Sequence, residues 1–204
     1  MNEGIKHSNL TVYTIGHSNH SFEAFALLLK SHRIKLIIDV RSSPYAKYTP
    51  HFNKDILQSN LKNAGIGYLF FGGSLGGRPE GEEFHDEQGY ILYERMAESP
   101  DFKRGIECVL DEIKIRNAAL LCGEENPASC HRRLLVGRVL RERGVMVLHI
   151  RADGKIQTED EVSQEEDLEK NKGQMSLFDD KELKEWKSTQ SVSRKKAPKN
   201  SSNL

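Results

Sequence analysis

The strongest constraint on the fold is an alternation repeated along most of the chain: a short apolar run, a polar loop, then an amphipathic stretch. Residues 35–40 (KLIIDV) are the clearest case, because an unbroken apolar run of this length is what a strand buried on both faces of a parallel sheet looks like. Residues 10–15, 67–71, 118–121 and 145–150 read as four further strands. Between them, Ser21 is placed to cap a helix carrying Phe22, Phe25, Ala26 and Leu29 at helical spacing, and residues 53–64 put Ile56, Leu57 and Leu61 on one face before stopping at Gly65. Residues 89–116 are helical in period and divide near Ser99-Pro100, since proline is tolerated in a first turn but not in a helix interior. Ser129 is a candidate cap for a last helix through Leu134, Leu135 and Val136 to Arg141. Five β/α units predict a single three-layer α/β/α domain over residues 10–152, with a mainly parallel sheet of about five strands.

The 204 residues suffice for one sizeable core and an appendage. Lys plus Arg and Asp plus Glu both number 30, so overall charge points to no partner. The three cysteines, Cys108, Cys122 and Cys130, are odd in number and lack CxxC spacing, which argues against a disulfide scaffold or a zinc ribbon and fits a reducing cytoplasm. Cys108 shares a helical face with Ile106, Val109 and Leu110 and reads as a buried space-filler. No signal-like apolar core opens the chain and no run nears the ~20 apolar residues of a membrane span, so a soluble cytoplasmic protein with no membrane association is expected. After residue 152 the sequence turns acidic and then rich in Lys, Ser and Asn. With so few large apolar residues, residues 153–204 are expected to form a disordered tail.

The polar loops carry the candidate chemistry. In a parallel sheet they gather at one rim: His17 and Ser18 after the first strand, Asp39 and Arg41 after the second, Gly76 and Gly77 in the glycine run after the third, and Cys122 and Glu124 after the fourth. Cys130, His131 and Arg132 arrive from the next helix, so the rim holds the inventory of an active site. Asp39 reads as a general base or substrate orienter, or else as a structural partner of Arg41. Arg41 and Arg132, with Ser18 and the close-approaching backbone of Gly76 and Gly77, suit a phosphate. Glu124 reads as a general acid/base raised by a half-buried cleft, or as a loop cap. Cys130 at a helix start beside His131 would have its thiolate favoured, or would be a buried filler. Cys122, Cys130, His131 and His17 could ligate a metal by residue type, but none has the short repeated spacing of zinc sites, so no metal is expected and no motif names a cofactor.

The combination Thr14-Ile15-Gly16-His17-Ser18, Asp39-Val40-Arg41 with Pro44, Gly65-Ile66 and Tyr68 leading to Leu75-Gly76-Gly77, then Leu121-Cys122 with Glu124 and Cys130-His131-Arg132, resembles the bacterial family called domain of unknown function 488. That resemblance implies an α/β fold and nominates these positions without assigning a reaction. Residues 38–44 (IDVRSSP) also resemble the matching strand end of rhodanese-type sulfurtransferases, although the acidic Gly123-Glu124-Glu125 after Cys122 departs from their compact cysteine loop and would disfavour a thiolate there.

In the tail, Gln174-Met175-Ser176-Leu177-Phe178 resembles the short peptide with which bacterial replication and repair proteins bind the DNA sliding clamp. Isolated apolar anchors in a polar segment are what groove-binding motifs look like. The expectation is an enzyme acting on DNA or nucleotides, hydrolytic, linked to replication or repair through the clamp. The alternatives are a rhodanese-like thiol or sulfur-transfer enzyme using Cys130 or Cys122, and a non-catalytic adaptor that binds a nucleotide or a protein.

Overall fold

The computed structural model describes residues 10–171 and 185–192. One six-stranded sheet forms the middle layer, with strands β1 (Thr11–Gly16), β2 (Leu36–Asp39), β3 (Gly67–Phe70), β4 (Ala118–Cys122), β5 (Met146–Ile150) and β6 (Ile156–Thr158) in the order β3-β2-β4-β1-β5-β6. The first five are parallel and β6 runs antiparallel to β5. Chain direction across the sheet reverses at β1 and β4, which places the carboxyl ends of β1, β2 and β4 side by side; ligand crevices of open α/β sheets form at such a point.

The period-two pattern of the strands builds two cores. Leu36, Ile38, Ala118 and Leu120 face one side, where α3 (Gly72–Leu75), α4 (Tyr93–Glu98), α5 (Pro100–Ile115) and α6 (Arg138–Glu142) pack with Phe102, Ile106, Val109 and Leu140. Ile37, Ala119 and Leu121 face the other, against Phe25 and Leu29 of α1 (Phe22–Ser31) and Leu57 and Leu61 of α2 (Lys54–Asn63). Ser21 caps α1 by accepting from the Ala24 N–H, and Ser99 caps α5 through Phe102, with Pro100 in the first turn.

Several expectations are corrected. The helix after Cys130 is not capped by Ser129; Arg132–Gly137 is a π-helical segment that runs into α6. Wide turns of this kind re-aim side chains and recur at functional sites. Residues 89–92 precede α4 rather than forming part of it, and Gly72–Leu75, at the start of the glycine run, is one helical turn. Cys108 is exposed, because its position falls just off the α5 stripe of Phe102, Ile106, Val109 and Ile113.

The expected boundary at residue 152 also moves. Residues 156–158 extend the sheet, and α7 (Glu159–Asn171) follows with Val162 buried. Residues 185–192 lie against the domain as a strap. The Trp186 indole N–H donates to the Leu134 carbonyl at 2.8 Å, Arg138 stacks on the indole, Tyr93 N–H donates to the Trp186 carbonyl, and Ser188 pairs with Ile91. A count of apolar residues misses these segments because polar contacts anchor them. Glu159 accepts from buried Arg133 at 2.6 Å and pairs with His149, which is fully buried. Residues 174–178 lie outside the described residues.

Glu159→Ala should therefore lower unfolding free energy by about 2 kcal/mol, since it leaves the buried His149 imidazole without its acceptor and takes from buried Arg133 one of its two carboxylates, the other being Glu166. Urea titration checks this, and a loss under ~0.5 kcal/mol would return α7 to the status of an appendage.

Candidate functional site

A cleft of about 590 Å³ opens at the carboxyl ends of β1, β2 and β4. His17, Arg41, Ser42, Gly77, Arg78, Cys122, Glu124 and His131 line it, and the strap residues 188–192 form part of its wall. Of the nominated rim residues, His17, Arg41, Gly77, Cys122, Glu124 and His131 line it and Ser18, Asp39, Gly76, Cys130 and Arg132 do not; Cys122 and His131 reach it from two separate elements.

Its floor is a thiol–imidazole cluster. Cys122 ends β4, and the turn after residue 130 sends His131 back over it, so that Cys122 Sγ, Cys130 Sγ and His131 Nδ1 all lie within 4.8 Å of one another. His131 Nε2–H donates to the Val40 carbonyl at 2.9 Å, which turns Nδ1 towards the sulfurs at 3.7 Å from Cys122 and 4.0 Å from Cys130. Gly77 packs on the ring; a Cβ there would sit 2.5 Å from the imidazole. Gly16 has the same kind of necessity, because a Cβ would fall 1.7 Å from the Glu124 carbonyl oxygen. Close strand-to-loop approach is thus a condition for this loop to exist.

The cluster polarises its members in opposite directions. The Cys122 thiol is held well below the ordinary range, first by a hydrogen bond from Cys130 and then, against its burial, by His131 and Arg132. Burial and the same Cys122 contact push Cys130 well above it. Burial alone would lower His131, but Cys122 and the Val40 carbonyl outweigh it and raise it. The lowered thiol expected at Cys130 thus falls instead to Cys122, through its side-chain neighbours rather than a helix dipole, while Cys130 lies behind it, almost fully buried.

Burial raises Glu124, with Cys122 adding to the effect, whereas Glu125 is held low by its paired hydrogen bonds from Arg151. Only the first of these acidic neighbours lines the cleft. His17 is pushed down to about 4 by burial, with Arg41 contributing; its Nδ1–H donates to the Ser18 carbonyl at 2.8 Å and its ring stacks on Phe52. At neutral pH it is an uncharged ring with Nε2 available to accept.

Two nominated residues are occupied elsewhere. Asp39 is fully buried and does not line the cleft; its carboxylate accepts from Arg41 N–H and Nε, from Arg41 Nη2 at 2.6 Å and from the Tyr68 hydroxyl at 2.7 Å. This is the structural ion-pair reading, and it aims Arg41 at the cleft. Arg132 is fully buried as well, donating to the Glu124 and Glu125 carbonyls and to Thr14 Oγ1. It holds the loop, and the arginines that line the cleft are Arg41 and exposed Arg78, which lies beyond the strand ends. Ser18, in the left-handed region at φ 47°, and Gly76, packed on Ser42, shape the rim without lining the cleft.

The fold and the cleft together define an α/β protein with a polarised thiol–imidazole site at the ends of its parallel strands. The family model described as "Domain of unknown function DUF488" matches residues 21–139, and the chain belongs to that family. Cys122, Glu124, Cys130, His131 and Arg132 fall inside the matched region, while His17 and the strap fall outside it. No curated protein and no solved structure matches the chain.

In chelator-treated protein, histidine NMR titration should show His17 neutral down to about pH 4 and His131 titrating above an ordinary histidine. Both moving the same way would mean that the cluster is not polarised as described.

Proposed function

We propose that the protein is a hydrolytic enzyme acting on a nucleotide or nucleic-acid substrate, with Glu124 as its acid/base. The observation that carries this reading is Glu124 itself, a solvent-reachable carboxyl on the cleft wall whose pKa partial desolvation raises, in the same cleft as Arg41 and Arg78. A carboxyl raised towards neutrality exchanges protons with water and a leaving group more readily than one at its ordinary value. Arg41, aimed by Asp39, and Arg78 suit an anionic group, the Ser42, Ser43 and Ser129 side chains add polar wall, and neutral His17 can accept from an amino or hydroxyl group. The cleft volume lies in the ordinary range for a small-molecule site, which a mononucleotide fits.

A second reading is thiol or sulfur transfer through Cys122, favoured by its lowered pKa and its place on the cleft floor. Turnover of a panel of nucleotides and short oligonucleotides separates the two. Hydrolysis should be detected, and Glu124→Gln should lower kcat by about 10²–10⁴. Glu124 must be ionised to take a proton from water, so the rate falls as pH drops through its raised pKa, and that limb should vanish in the variant. No hydrolysis, with sulfur transferred from a thiosulfonate donor instead, would favour the second reading.

The tie to DNA rests on residues 174–178, whose proposed partner is the bacterial sliding clamp. A peptide spanning them should bind purified clamp at roughly micromolar concentration, and replacing Leu177 and Phe178 by Ala should cost at least ~2 kcal/mol, about thirtyfold. Equal binding by both peptides would remove the connection.

A further inference from the structure

We propose that Cys122, Cys130 and His131 hold one divalent metal ion of the zinc type, with a fourth coordination position open to the cleft. Zinc bonds of about 2.3 Å to sulfur and 2.0–2.1 Å to nitrogen at a tetrahedral angle put ligand sulfur and nitrogen about 3.6 Å apart. The two Sγ···Nδ1 separations here are 3.7 and 4.0 Å. Two thiol sulfurs and an imidazole select zinc or a similar transition metal over magnesium or calcium, which prefer oxygen.

The surroundings are also those of a ligand set. His131 gives its Nε2–H to the Val40 carbonyl, the outer hydrogen bond that fixes the tautomer and leaves Nδ1 as the ligand atom. Cys122 sits on a strand end, and Cys130 and His131 immediately precede the π-helical segment, so the donors are carried on ordered elements. Cys122 and His131 line the cleft while Cys130 lies behind them, so the uncovered side of the cluster is the substrate side. Three protein ligands with an open fourth position distinguish catalytic from structural zinc.

Binding of the ion stands on this geometry; its role rests on the hydrolytic reading. A water in the fourth position loses a proton to Glu124 as its oxygen bonds to the electrophilic carbon or phosphorus of the substrate. Glu124 then returns that proton to the leaving group as the old bond breaks, so Glu124 and the metal are both restored.

The test uses the full chain, stripped with a chelator and titrated with cobalt(II) as the zinc probe. One equivalent should bind with thiolate-to-cobalt charge-transfer absorption, and zinc should displace it. Cys122→Ser, Cys130→Ser and His131→Ala should each weaken binding by more than about a hundredfold, since even outer-shell changes cost ten- to a hundredfold. Glu124→Gln should keep the full stoichiometry. Because Cys130 is buried and its variant can misfold, wild-type protein gives a second readout: zinc should protect Cys122 from alkylation while exposed Cys108 reacts unchanged. Equal alkylation of Cys122 with and without zinc, or no stoichiometric cobalt binding, overturns the site. Hydrolysis that survives complete chelation overturns the metal's part in the reaction while sparing both the hydrolytic reading and the binding site. Tight binding at these residues with no hydrolysis of any nucleotide supports the site and overturns that reading.

Discussion

A buried guanidinium must find acceptors, and Arg132 finds them in the two carbonyls of the loop that follows β4 and in the Thr14 hydroxyl. That hydroxyl donates a hydrogen bond to His149, whose other nitrogen donates to Glu159, and Glu159 in turn accepts from Arg133. The donors and acceptors run in one consistent direction only if His149 is neutral, and its burial lowers its pKa accordingly. One chain of polar contacts thus joins the loop at the cleft to α7 on the sheet's flank. Losing any member strands a charge or a donor in the interior, so the network fixes loop geometry as much as it stabilises the fold.

Asp39 and Tyr68 do for the second strand end what Arg132 does for the fourth. Arg41 is a long side chain whose own entropy would scatter it, and paired bonds to a fully buried carboxylate hold it in one place. The cleft therefore contrasts preset, charged walls with a floor that can exchange protons. Sulfur, imidazole and carboxyl groups lie within two short stretches of chain, and their neighbours drive their pKa values apart. Groups separated in this way can divide donor and acceptor roles at one pH.

The central strands β2 and β4 were readable because they are buried on both faces and so form unbroken apolar runs. The helices were readable from their stripes, and the rim followed from topology. What could not be read was which polar residues face inward. Asp39 and Glu124 look alike in sequence, yet one is spent on an arginine and the other borders the cleft. The convergence of Cys122 with Cys130 and His131 is hidden for a related reason: the seven residues between the cysteines form a turn rather than the short link on which spacing rules are built. Segments 153–171 and 185–192 were lost because their composition is that of solvated chain, whereas a few specific contacts, among them Trp186 to Leu134 and Glu159 to Arg133, hold them.

The strap completes the cleft from far along the sequence. Its Ser188 to Val192 wall belongs to the same space as His17, so the site closes only when contacts separated by most of the chain have formed. Domains begin to fold from the amino end as they are synthesised. A nascent or prematurely terminated chain can build the sheet and bring the two cysteines and His131 together, yet it has an unwalled cleft, so ligand binding that needs that wall would report that translation has passed residue 192.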